Sequence, residues 1–151
     1  MLKYCRDKWN ENKDKLEEAL REANNLNSCD YKDLVALVVE HILNPGECDY
    51  DIYDPKNITV IDNGDYQGTQ LFMIPMDTYQ PSEYEYLLTC VGYGSCSGCD
   101  TLQSIQEWDD KKLTDSQIKD FMKLCKDLVC SIVKPYNGGW RNDDRFTEVV
   151  Q

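Results

Sequence analysis

Residues 91–100, Val-Gly-Tyr-Gly-Ser-Cys-Ser-Gly-Cys-Asp, constrain the fold more than any other stretch. Three glycines and a Cys-x-x-Cys pair stand between a strand-like run and a helical one, so the chain must turn sharply from sheet to helix here. The run ahead of the turn alternates: Tyr84, Tyr86, Leu88 and Cys90 would share one face of a strand, and Glu85, Leu87, Thr89 and Val91 the other. Two more β-branched or aromatic runs, 58–61 and 71–74, flank residues 62–68, where Asn63-Gly64 supplies turn chemistry and predicts a β-hairpin.

On both sides of this centre the apolar period becomes helical. Leu2, Cys5, Trp9, Leu16, Leu20 and Ala23 predict an amphipathic helix over about residues 2–24, with Asp14, Glu17, Glu18 and Arg21 on its solvated face. Asp30 or Ser28 caps a second helix carrying Leu34, Val35, Leu37, Val38, Ile42 and Leu43, which ends near Asn44-Pro45-Gly46. Its broad apolar surface predicts a place against the sheet, with the first helix covering one side of it. His41, the only histidine, lies on this helix without a sequence-local partner to activate it and reads as a core or edge residue.

Past the glycine turn, Asp100 caps a short helix containing Leu102, Ile105 and Trp108. Thr114-Asp115-Ser116-Gln117 fits a capping box for a last helix running through Ile118, Phe121, Met122, Cys125, Leu128, Val129 and Ile132 to Pro135. The expected fold is α+β, with a three-stranded antiparallel sheet between two N-terminal and two C-terminal helices. It forms one domain over 1–151: helical at 1–46, an acidic sheet region with the glycine and cysteine turn at 47–100, helical at 101–134, and a tail at 135–151. Trp140 and Phe146 point to a tail that docks back on the domain or mediates self-association.

The net charge of −12 is localised. Residues 1–46 hold 7 Lys/Arg against 9 Asp/Glu, residues 47–110 hold 1 against 13, and residues 111–151 hold 8 against 6. From Asn57 to Asp110 there is no Lys or Arg. Direct nucleic-acid binding through this region is excluded, because phosphate contacts need those side chains. The start of the sequence shows no apolar run of signal-peptide type, and no run is long enough to span a membrane, so a cytoplasmic protein is expected. In that reducing compartment the eight cysteines are expected as thiols, most of them small core residues, Cys125 and Cys130 among them. Residues 47–55 are acidic and tyrosine-rich but lack the glycine and the distal Glu of an EF-hand.

Three chemistries fit the glycine and cysteine loop. A Cys-x-x-Cys pair between strand and helix has the local arrangement of a dithiol redox site, although no further strands follow as a thioredoxin-like fold requires. Cys96 and Cys99 also have the spacing of half a zinc site, with Cys90 as a third ligand, but no second ligand pair follows. The favoured reading is a tight turn permitted by Gly92, Gly94 and Gly98, with both cysteines packed inward.

Residues 65–72 (Asp-Tyr-Gln-Gly-Thr-Gln-Leu-Phe), 77–81 (Asp-Thr-Tyr-Gln-Pro) and 93–103 (Tyr-Gly-Ser-Cys-Ser-Gly-Cys-Asp-Thr-Leu-Gln) resemble small proteins encoded by bacteriophages and prophages. The resemblance covers roughly the central third to half of the chain and transfers no catalytic residues. It implies a non-enzymatic, anti-CRISPR-like inhibitor of host defence in the bacterial cytoplasm, without cofactor. In that role Asp49, Asp51, Asp54, Asp62, Asp65, Glu83 and Glu85 would dock on the basic surface of a host nucleoprotein such as a CRISPR effector. Two alternatives stand beside it: a zinc- or dithiol-dependent phage protein centred on Cys96 and Cys99, and a phage structural or assembly protein that oligomerises through its tail.

Overall fold

A computed structural model of the chain describes residues 1–109, 111–135 and 143–151. The expected α+β architecture is observed. In chain order come α1 (Lys3–Glu22), α2 (Tyr31–Val38), β1 (Thr59–Asp62), β2 (Gly68–Pro75), β3 (Tyr86–Tyr93), α3 (Thr101–Ile105) and α4 (Asp115–Cys130).

α1 buries Cys5, Trp9, Leu16 and Leu20 and, Lys8 apart, keeps its charged residues out of the core, with Glu17 and Arg21 paired at 3.7 Å. α2 starts at a capping box in which the Asp30 carboxylate accepts from Asp33 N–H at 2.9 Å and the Asp33 carboxylate accepts from Asp30 N–H at 3.0 Å. After Val38 the helix widens into a π-helical turn, Val39–Leu43, closed by Asn44 N–H on the Val39 carbonyl at 3.0 Å. Helix ends leave carbonyls without intrahelical donors. Here α1 supplies them: Asn12 Nδ2 donates to the Ile42 carbonyl at 2.8 Å and Lys8 Nζ to the Pro45 carbonyl at 3.0 Å. Two polar side chains on the buried face of α1 are thereby explained.

The strands form an antiparallel meander in the order β1-β2-β3, with Asp62 opposite Gln70 in the hairpin and Phe72 opposite Thr89 in the second pair. Phe72, Ile74, Leu87 and Thr89 are buried on the inner face. Thr89 donates its hydroxyl to the Leu128 carbonyl at 2.7 Å, which satisfies a polar group at a core position and ties β3 to α4. The alternation expected for the third strand holds from Leu87 to Val91. The strand starts only at Tyr86, because Ser82 and Glu85 form a capping box that turns Glu83–Glu85 into a 3-10 helix.

Three expectations are corrected. α1 packs chiefly against the π-helical turn and α4, and α4 is the helix with the most extensive contact with the sheet, at β3. α2 and its extension pack chiefly on other helices. α3 stops at Ile105, leaving Trp108 fully exposed: Gln106 Nε2 donates to the Leu26 and Cys29 carbonyls at 2.9 Å each and draws the chain across to the α1–α2 connection. The cysteines are not mostly core. Cys5 and Cys125 are buried and Cys29 half-buried, but Cys48, Cys96 and Cys99 in loops, Cys90 on the outer face of the sheet and Cys130 at the end of α4 are exposed.

The tail docks through Phe146, which is buried and meets Tyr4 edge-on with ring centroids 4.8 Å apart. Trp140 lies outside the described residues. Beside Phe146 the two ends of the chain pair: Leu2 and Val149 form an antiparallel bridge, and Val150 N–H donates to the Met1 carbonyl at 2.8 Å.

Candidate functional site

At the hairpin end of the sheet, β3 runs into the 94–99 loop and then α3, and this junction is built on one carboxylate. Asp100 is buried; its Oδ2 accepts from Gly94 N–H at 2.9 Å and its Oδ1 from Gln103 N–H at 3.0 Å and from the Tyr31 hydroxyl at 2.9 Å. The first two bonds close the loop and cap α3, and the third fastens both to α2. Gln103 Nε2 completes the closure on the Gly94 carbonyl at 3.2 Å. Gly94 is required: a Cβ there would stand 2.5 Å from the Cys99 carbonyl oxygen and 2.6 Å from its sulfur.

The loop so closed presents both cysteines outward, which corrects the expectation that they pack inward. Their sulfurs lie 3.0 Å apart, and Cys96 N–H donates to Cys99 Sγ at 3.3 Å. The Cys96 thiol first, and then the Cys96 N–H, hold the Cys99 thiol below the ordinary thiol range. Alongside opens a cleft of about 700 Å³ bordered by Cys96, Gln103, Glu107, Trp108 and Asp109, and by Asn27 of the α1–α2 connection.

The seven carboxylates singled out in the sequence do not form one patch. Asp62 and Asp65 belong to the hairpin end. Asp62 accepts from the Tyr93 hydroxyl at 2.6 Å, Gly64 N–H at 2.9 Å and Gln70 Nε2 at 3.2 Å, and these bonds, Tyr93's foremost, lower its pKa. The others belong to the far end, beyond the eight residues of β2, about 23 Å away. There Asp54 N–H donates to the Pro75 carbonyl at 2.9 Å and Met76 N–H to the Glu85 carbonyl at 2.7 Å. Asp54 is occupied by Lys56 N–H at 2.9 Å and by Asn57, and Glu85 by its capping contacts with Ser82 at 3.0 and 3.2 Å. Asp49 and Glu83 are exposed.

Asp51 meets a cation. Arg145 Nη2 lies 3.4 Å from it, and the same guanidinium reaches Asp143 at 2.6 Å and Glu47 at 3.5 Å while covering the rings of Tyr4 and Phe146. Lys8 adds a nearly buried ion pair to Glu47 at 2.6 Å. Lys134 Nζ donates to the Tyr86 carbonyl at 3.3 Å and to that of Tyr84. The far end therefore neutralises part of its charge with bases from α1, from the segment after α4 and from the tail. This cluster was hidden in the sequence, because its members come from distant stretches, Glu47 and Arg145 alone being 98 positions apart.

Cys90 stands on the outer face of the sheet, opposite Leu71, and is not brought to Cys96 and Cys99. Among the described residues no group of three His, Cys, Asp or Glu side chains is arranged to hold a metal ion. None of the described helices is long and apolar enough to cross a membrane. His41 is half-buried, 3.9 Å from the Glu40 carboxylate. No family model, curated protein or solved structure matches the chain.

Proposed function

We propose that the protein is an anionic binding module that inhibits a nucleoprotein by docking on its Lys/Arg-rich surface. A phage-encoded inhibitor of a host-defence effector, acting in the bacterial cytoplasm, is the setting that the sequence resemblance favours. One observation carries the reading: the hairpin end comes from a stretch without Lys or Arg, and Asp62 there is held by a hydroxyl, an amide and a backbone N–H, with no cation among the described residues. Hydrogen bonds from neutral groups fix the carboxylate's position and leave its charge uncompensated. A rigid, uncompensated charge gives the most steering toward a basic surface, and one that occupies such a surface excludes nucleic acid from it.

The docking face is accordingly weighted toward Asp62 and Asp65. Asp49, Asp54, Glu83 and Glu85 form a second contact region, and Asp51, whose charge is shared with Arg145, contributes less. The test is binding to an immobilised guide-loaded CRISPR effector at low and high salt. Wild type is expected to bind more weakly as salt rises, and Asp62→Lys with Asp65→Lys to lose roughly tenfold or more in affinity. Equal binding by wild type and the reversed pair, with no salt dependence, would sink the reading.

A further inference from the structure

The dithiol loop has a geometry that the docking reading does not use. Five cysteines are exposed, yet only Cys96 and Cys99 among the described residues have sulfurs in contact, at 3.0 Å. A disulfide needs about 2.05 Å, so closing the pair requires roughly one ångström of movement. Nothing bulky stands in the way, since residue 94 has no Cβ and the frame that sets the loop, Asp100 with Tyr31 and Gln103, lies beneath it.

We propose that Cys96 and Cys99 form a thiol–disulfide exchange site whose substrates are exposed disulfides, cationic ones preferred, entering from the adjoining cleft. Access follows from Cys99 being exposed and in contact with Cys96, which lines that cleft beside Trp108. The charge preference follows from its border, which among the described residues holds two carboxylates, Glu107 and Asp109, and no Lys or Arg. A cationic substrate is drawn to such a border and an anionic one repelled.

In the reaction, Cys99 loses its proton to water, and its thiolate attacks one sulfur of R–S–S–R, forming the Cys99–S–S–R mixed disulfide and expelling RS⁻. That thiolate takes the Cys96 proton. The Cys96 thiolate then attacks Cys99 Sγ, closing the Cys96–Cys99 disulfide and expelling the second RS⁻, which is protonated from water. One substrate disulfide is reduced to two thiols and one protein dithiol is oxidised. Contacts from the Cys96 thiol and N–H, which favour the Cys99 thiolate, suit it to the first attack.

The full chain would be treated with cystamine or with dithiodipropionate, a cationic and an anionic disulfide, and each cysteine-containing peptide followed by mass spectrometry. Wild type is expected to close Cys96–Cys99 with cystamine faster than Cys90, an exposed lone thiol in the same molecule, acquires an adduct. Cys96→Ser should stop at a stable cysteamine adduct on Cys99. Cystamine should outpace dithiodipropionate roughly tenfold at low salt, the gap closing at high salt. Adducts on Cys99 that never resolve in wild type, or a Cys90 that reacts as fast, overturn the exchange site. Equal rates for the two probes at low salt overturn its charge preference. Because both cysteines lie on the surface, the variant keeps the fold, which circular dichroism verifies. The docking reading stands or falls separately, since Asp62→Lys with Asp65→Lys leaves both thiols in place.

Discussion

Tyr31, the first residue of α2, donates its hydroxyl to Asp100 at 2.9 Å and accepts from Leu102 N–H at 3.1 Å, joining two elements far apart in sequence. Removing the hydroxyl strands a buried N–H and takes one of three donors from a buried carboxylate. Tyr31→Phe is therefore expected to cost about 1–3 kcal/mol. Urea denaturation measures it, and alkylation of Cys99 should show whether the loop above loosens too. An unchanged midpoint would mean that the loop is held without this tie.

A methyl group at position 94 collides with Cys99, whereas one at position 92 meets only the Gly68 carbonyl oxygen at 3.9 Å. Gly94→Ala is expected to lose about 1–3 kcal/mol and to slow closure of the cysteine pair, because the backbone it meets cannot rotate away. Gly92→Ala should be close to neutral. Thermal unfolding of the two variants side by side distinguishes a steric requirement from a general intolerance of the loop.

Tyr53 is fully buried, and its hydroxyl is the one buried side-chain oxygen or nitrogen among the described residues without a hydrogen-bond partner. Desolvating that group without compensation is unfavourable. Tyr53→Phe should therefore leave stability unchanged or raise it by about 1 kcal/mol, roughly 2–4 °C in Tm for a chain of this size. A marked loss of stability would show that the hydroxyl has a partner, such as a bound water.

Burial pushes the Cys5, Cys29 and Cys125 thiols up to about 12. An unfolded thiol ionises near about 8.5. Between those values the unfolded chain holds fewer protons than the native one, so the stability these thiols contribute is intact below about pH 8.5 and falls as pH rises toward 12. Under reducing conditions Tm should decline above about pH 8.5, and more gently in Cys125→Ala. The same slope in both would assign the alkaline loss to other groups.

The sequence was most informative where signals are local. Periodicity fixed the helical and strand segments, and the capping residues Asp30, Asp100 and Thr114 all cap as expected. It was least informative where a residue's role depends on a distant partner. Asp51 looked like one free carboxylate among several until Arg145 arrived from the tail. Cys96 and Cys99 looked inward-facing because cysteines usually are; what turns them out is that Asp100 takes the buried position and anchors the loop from below. Trp108 fitted the helical period, but Gln106 found carbonyl acceptors in the α1–α2 connection and ended α3 first. In each case tertiary hydrogen bonding overrode a correct local pattern.

The bridge between Leu2 and Val149 also bears on how quickly the molecule comes apart. The hydrogen bond from the Met1 amino group to the Val150 carbonyl joins groups 149 positions apart, so loop-closure entropy delays it until the body between has collapsed. A contact made after the folding barrier has little effect on the folding rate and acts mainly on the rate of unfolding. Strengthening this clasp would lengthen the native lifetime while leaving refolding almost untouched.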